Sequence, residues 1–262
     1  MLSKLVALPA WAAVGDQAGG GFWNLVAVVG PAVFGLLLVG LVARAIVRHG
    51  RYHVVRSFAD DDRRAVREAL AASENKTVGE ILPVVVERSD PHPAGEWRSA
   101  ISFLLVGSSL LIVWMPWDHP TWMLLAQCVL AAIGFGLARA LPDLRRAFVF
   151  EDRATAVAGE QAFQEFYAQG LHRTRFGTGV LLFVSLFERR VIVLADEGID
   201  AKVDAEFWEG VDEAVLDGIR RGSLRDGLVE GIRRVGQILE KDFPPPDDDV
   251  NEIPDRVIVR RE

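Results

Sequence analysis

Three long stretches almost free of charge set the first limit on what this chain can fold into. They run from Phe22 to about Val47, from Ser99 to Trp117 and from Pro120 to Ala138. A helix needs about 20 apolar residues to cross a hydrocarbon core, and each stretch meets that need. The first contains Pro31, which a membrane helix tolerates as a kink, and Arg44 close to its end. Only Asp118 and His119 separate the second from the third, so together they read as a transmembrane hairpin with a minimal turn. Trp114, Trp117 and Trp122 gather around that turn, Trp97 stands near the opposite end and Trp23 opens the first span. Indole rings at these places suit headgroup depth. The bulk numbers agree, with 262 residues, 50% of them hydrophobic, and a mean hydropathy of +0.21.

Orientation follows from the arginines, which favour the cytoplasmic side of short loops. Residues 1 to 21 carry Lys4 and the hairpin turn carries no basic residue. Arg44, Arg48, Arg51 and Arg56 follow the first span, Arg88 and Arg98 precede the second, and Arg139, Arg145 and Arg146 follow the third. The expected topology therefore places the N-terminus outside and residues 49–98 and 142–262 in the cytoplasm, beneath a bacterial inner membrane. Residues 1–21 allow two readings. Met1-Leu2-Ser3-Lys4 and the apolar stretch to Val14, with Ala10-Trp11-Ala12, resemble a short signal peptide; the same residues also read as an uncleaved, Gly-rich external tail.

The polar segments carry the periodicities of a small layered domain. Residues from Ser57 to Glu74 form an amphipathic helix around Val66 and Leu70, capped by Ser57 or Asp60. A β-branched strand spans Gly79 to Glu87, with Pro83 placing it at an edge or bulge. A long helix from Glu151 to Leu171 stops near Gly170. Two apolar runs, 179–186 and 190–195, meet at Glu188-Arg189 as an antiparallel hairpin, although the turn lacks Asn-Gly. Helices over 204–221 and 223–243 keep an i, i+4 apolar rhythm before Pro244-Pro245-Pro246 and Asp247-Asp248-Asp249 open a flexible tail over 244–262. The expected fold is α/β: a layered domain over 49–98 and 142–243, interrupted by a transmembrane hairpin at 99–141 and preceded by a transmembrane helix at 22–48.

Several functions are disfavoured by composition. The 36 acidic and 29 basic residues give a net charge of −7, which excludes a basic footprint over the whole chain and makes nucleic acid a poor partner. A single cysteine, Cys128, rules out an intramolecular disulfide and a CxxC pair. Gly177-Thr178-Gly179 is not followed by the residues of a phosphate-binding loop, and Ser185 lacks a nucleophile elbow. His49, His53, His92, His119 and His172 form no paired-ligand spacing. His172, beside Arg173 and Arg175, reads as a packing residue at a helix end, and His92 lies between prolines with no visible companion. Three nearly uncharged spans also give a transporter monomer little to work with.

Two segments carry a family resemblance. The run Glu74-Asn75-Lys76-Thr77-Val78-Gly79-Glu80 with its valine strand, and Gly179 to Ser185 followed by Arg190 to Ile199, resemble the TPM domain family. More narrowly, they resemble the bacterial membrane proteins that carry this domain. The resemblance spans about residues 60–90 and 150–243. It implies an α/β sandwich with a central sheet, often membrane-tethered. The activities it implies range from phosphatase to divalent-cation binding through acidic loops to an accessory role in membrane complexes. The transmembrane hairpin and the cytoplasmic orientation depart from the soluble family pattern.

One place has the chemistry of a metal site. In Asp196-Glu197-Gly198-Ile199-Asp200, carboxylates at a strand end and a permissive glycine suit Ca²⁺ or Mg²⁺, with Glu80 and Asp60 as further ligands. The competing reading has Gly198 in a left-handed turn and Asp200 or Asp204 capping the next helix. The leading expectation is a membrane-anchored interaction or accessory module, in contact with lipid and with a membrane protein complex or further copies of itself. A divalent-cation-dependent phosphatase using the acidic turn is the alternative. A third reading assigns the hairpin to oligomerisation, with Gly134 and Gly136 allowing close helix approach.

Overall fold

The computed structural model describes residues 20–48, 58–114, 120–203, 205–246 and 251–260. Its chain divides into two compact units, one formed by residues 1–47 and 94–148, the other by 48–93 and 149–262.

The first unit is helical: α1 (Gly20–Arg48), α3 (Pro93–Trp114), α4 (Pro120–Ala140) and the short α5 (Pro142–Ala147). Among the described residues, α4 is the helix long and apolar enough to cross a membrane, with a mean hydropathy of 1.8 over its best window and 11% of that window buried. Trp122, Leu124, Leu125, Val129 and Ile133 are all exposed along it. Close packing of α4 on α3 depends on Gly134, where a Cβ would stand 2.8 Å from the Cβ of Phe103 and 2.9 Å from the Ser99 carbonyl. The Ser99 hydroxyl donates to the Gly134 carbonyl at 2.9 Å, tying the helices at the same level. Gly134 thus serves contact within the chain, whereas Gly136 has open space beside it. At the polar end of the pair, Glu96 accepts a hydrogen bond from Arg145 at 3.3 Å and forms a looser ion pair with Arg139 at 3.7 Å.

A four-stranded mixed sheet forms the middle of the second unit, in the order β3-β2-β1-β4. The strands are β1 (Glu80–Val86), β2 (Gly179–Ser185), β3 (Arg190–Ala195) and β4 (Ile258–Arg260). β1 is parallel to β2 and to β4, and β3 is antiparallel to β2. Alternation along β1 and β2 sends side chains to two cores. On one face Ile81, Val85, Val180, Leu182 and Val184 pack against α2 (Asp60–Glu74), α8 (Ala205–Arg220) and α9 (Leu224–Asp242). On the other, Leu82, Val84, Val86, Leu181 and Phe183 meet α6 (Glu151–Ala168) and Leu171 of the following 3₁₀ turn. With helices on both faces, these central strands are fully buried and read as continuous apolar runs.

Three local expectations change. The tail over 244–262 ends in structure: Ile258, Val259 and Arg260 pair with Val84, Val85 and Val86, and Val257 enters the core. The pattern was hidden because a three-residue strand has no period to read and follows a Pro- and Asp-rich run. Pro83 sits in an inner strand, yet its missing N–H does no damage. Ile81 and Glu87 direct their N–H groups away from β2, to the Glu74 carboxylate at 3.0 Å and the Arg260 carbonyl at 3.2 Å. By alternation Pro83 faces the same side, one residue before β4 begins. Finally, α2 has Ala59 at its N-cap, and the Asp62 carboxylate accepts the Ala59 N–H at 3.0 Å; Asp60 lies inside the first turn, and Ser57 is outside the described residues.

Candidate functional site

The acidic residues singled out by sequence are not gathered into one cage. Asp60 belongs to α2, on the sheet face opposite that of Glu80, Leu82 and Val84. Glu80 and Asp196 share a row, for Glu80 pairs with Gly179 and the Asp196 N–H bonds the Gly179 carbonyl from the other side. That row separates their backbones by two strand spacings, about 10 Å. The Leu171 backbone fills the space over Gly179, where a Cβ would come within 2.3 Å of the Leu171 carbonyl. The Glu80 carboxylate is engaged elsewhere, accepting the N–H groups of Glu252 at 2.9 Å and Ile253 at 3.3 Å. Asp196 caps the short helix α7 (Glu197–Asp200), accepting the Glu197 N–H at 2.9 Å, and Asp200 is the last residue of that helix. Among the described residues no three His, Cys, Asp or Glu side chains come together as a metal-binding group.

The glycine of the acidic turn also has a different duty from a left-handed turn. Positive φ falls on Gly177, at 64°, while Gly198 allows close approach: a Cβ there would lie 2.6 Å from the Gly177 carbonyl. Asp204, the other proposed cap, is outside the described residues.

A polar cluster absent from the sequence expectation lies at the carboxyl ends of β1 and β2. Ligand sites in open α/β sheets favour this end of the parallel strands. The Glu188 side chain, 0% exposed, is its centre. His92 Nε2 lies 2.6 Å from Glu188 Oε1, the Ser89 N–H donates to both carboxylate oxygens at 3.1 Å, and the Ser185 hydroxyl donates to Oε2. Ser89 in turn donates its hydroxyl to Ser185 Oγ at 2.9 Å. On its outer side the His92 N–H donates to Asp90 Oδ1 at 2.7 Å, and Arg153 meets Asp90 Oδ2 at 3.1 Å. The imidazole stacks on Phe187 with 5.2 Å between centroids.

Burial alone would push the Glu188 carboxyl up, but His92, Ser185 and the Ser89 N–H outweigh it and hold the group below the usual carboxylate range. A carboxylate held this way is a weak base. The Ser185 hydroxyl does point its proton at this carboxylate, but the base is weakened and both side chains are buried, at 1% and 0% exposure, which leaves a nucleophile there neither strongly activated nor open to a substrate. The arrangement is a closed latch between the end of β1 and the β2–β3 turn. Ser185, the last residue of β2, closes this latch through its hydroxyl. His92 and Glu188 lie 96 residues apart, which is why no spacing revealed them; the local trace is the Ser185-x-x-Glu188 pair at a strand end. His172 packs as a helix-end residue, its ring 4.7 Å from that of Tyr167.

No family model matches the sequence, and no curated protein does. Among solved structures the chain is similar to the NMR structure of the BA42 protein from the psychrophilic bacterium Bizionia argentinensis, at 18% identity, covering 77% of this chain and 94% of that one, with a TM-score of 0.48.

Proposed function

We propose that this chain is a membrane-anchored interaction module of the TPM-like kind, serving a larger complex of the bacterial inner membrane from its cytoplasmic face. The observation that carries the anchoring is α4, apolar along 21 residues and only 11% buried in its best window. Leu124, Leu125, Val129 and Ile133 stand more than two-fifths exposed on it, and hydrocarbon is the solvent such a surface suits. By the same reading α1 and α3 are further spans. Support for interaction over catalysis comes from the buried cluster around Glu188, whose hydrogen bonds are spent on closing the domain and whose base strength is lowered.

Membrane fractionation tests the anchoring. The full chain should stay in the pellet after carbonate at pH 11 and leave it only with detergent; release by carbonate alone would overturn the reading. Hydrolysis of p-nitrophenyl phosphate, measured on detergent-purified protein with millimolar Ca²⁺ or Mg²⁺, tests the other half. Metal-dependent turnover abolished by Asp196→Ala would replace the interaction module with a phosphatase, whereas a background rate together with saturable co-purification of a defined membrane protein is the expected result.

A further inference from the structure

A groove of about 940 Å³ opens in the α/β unit between the α7–α8 connection, α8 and α9, and its charged lining is Lys202, Arg233, Arg234, Lys241 and Asp242. On a chain of net charge −7 this lining is unusual. Among the described residues, its four cations stand against Asp242 and against Glu230, which pairs with both arginines, leaving a charge of +2. The two arginines are also held in position. Glu230 grips Arg233 through both carboxylate oxygens, at 2.7 and 2.8 Å, and takes Arg234 Nε at 2.9 Å, while Arg234 Nη1 donates to the Gly210 carbonyl at 2.9 Å. These bonds leave Arg233 Nη1 and Arg234 Nη2 as further donors, in guanidinium planes already fixed. The Lys202 ammonium sits 4.6 Å from the centre of the Phe243 ring.

Next to this charge lies an apolar wall of Val203, Ile238 and Phe207, the last 54% exposed although it is a large aromatic. A phosphomonoester carries about −1.5 to −2 at neutral pH and offers three acceptor oxygens. A charge of +2 with fixed guanidinium donors complements it, and an adjoining apolar wall suits a ligand whose phosphate is attached to hydrocarbon. The volume is also within the usual range of small-molecule sites, about 300–1,000 Å³. We propose that this groove binds the phosphomonoester headgroup of an anionic lipid of the phosphatidate type. The source in the membrane rests on the reading above, in which the α/β unit faces the cytoplasmic leaflet; the groove's chemistry does not.

The test uses the full chain purified in maltoside detergent, titrated calorimetrically with dihexanoyl phosphatidate, dihexanoyl phosphatidylcholine and glycerol 3-phosphate. Phosphatidate should bind at least tenfold more tightly than either of the others. The Lys202→Ala, Lys241→Ala double variant spares the Glu230 clamp and should lose at least tenfold in phosphatidate affinity, with an unchanged thermal transition to show that it folds. Phe207→Ala should weaken phosphatidate and leave any glycerol 3-phosphate binding as it was. Equal affinity for phosphatidylcholine, or wild-type affinity in the double variant, would overturn the proposal. Glycerol 3-phosphate binding as tightly as phosphatidate would overturn the lipid assignment and make this a site for soluble phosphoesters. Because the short-chain lipid is presented in solution, its failure to bind leaves carbonate resistance untouched, so the groove and the anchor stand or fall separately.

Discussion

His92 has a φ of 50°, a left-handed conformation that disfavours a side chain by about 1–2 kcal/mol. What offsets it is the ring's place between Glu188 and Phe187. Removing the carboxylate should therefore be worse than removing the imidazole alone would suggest, because Ser89 N–H, Ser185 Oγ and His92 all lose a buried acceptor. Glu188→Ala is expected to destabilise the α/β unit by roughly 2–4 kcal/mol, read as a fall in the denaturation midpoint. Its folded carboxyl lies below the ordinary value of 4.5, so the stability it supplies is present above pH 4.5 and is lost as the pH falls through the folded value. Glu74 has the opposite sign. Burial first, and then the neighbouring Asp255 and Glu80 carboxyls, push it up to about 9, against the pull of the Ile81 N–H. Stability should accordingly decline as the pH rises from about 4.5 towards 9. Glu74→Gln, neutral at every pH, should flatten that decline and melt higher than the wild type at pH 8, by up to about 4–5 kcal/mol at about 1.4 kcal/mol per pH unit above 4.5, in a pH series of thermal transitions.

At the scale of elements, β4 is the piece whose loss has the most local consequence. It covers one edge of β1 with three residue pairs, and Glu80 fastens the chain leading into it. Arg260 adds an ion pair to the buried Glu165 at 3.0 Å. Deleting residues 251–262 should leave the β1–β2 ladder in place while uncovering that edge. The expected signature is faster hydrogen exchange at Val85 and Glu87, whose N–H groups face β4, with Leu82 and Val84 still protected by β2; unchanged protection at Glu87 would mean that β4 contributes nothing to the edge. The same element shows where sequence reading stops. Strands β1 to β3 and helices α2, α6, α8 and α9 were legible because each has either a β-branched run or a helical apolar stripe of useful length. A three-residue strand has neither, and the turn before β3 departs from Asn-Gly because Arg189 itself takes the positive φ, at 56°. The candidate cluster was unreadable for a related reason, since His92 and Glu188 come together only when β1 and β2 pair across the inserted helices. Asp196 was visible as an acidic strand end, but whether such a residue caps a helix or holds a cation depends on what faces it, and here the α7 N–H does.

Connectivity limits the whole molecule more tightly than any one helix. The α/β unit is assembled from residues 48–93 and 149–262, with α3 and α4 between them in sequence. β1 precedes the pair and β2 follows it, and the two strands share seven register partners. If α3 and α4 cross a bilayer, they must do so as a hairpin, because a single crossing would put β1 and β2 on opposite sides and the sheet could not form. On the proposed reading, the arginines flanking the spans assign that common side to the cytoplasm. Cysteine accessibility checks this in intact cells carrying Cys128→Ser as background. His119→Cys, between α3 and α4 in sequence, should react with an outer-membrane-permeant but inner-membrane-impermeant maleimide without lysis, whereas Lys76→Cys, exposed in the turn that follows α2, should react only after the inner membrane is opened. Labelling of both positions before lysis, or of neither, would break the hairpin topology. Labelling of Lys76→Cys alone would keep the hairpin but invert it, placing the α/β unit and its basic groove on the outer side of the membrane.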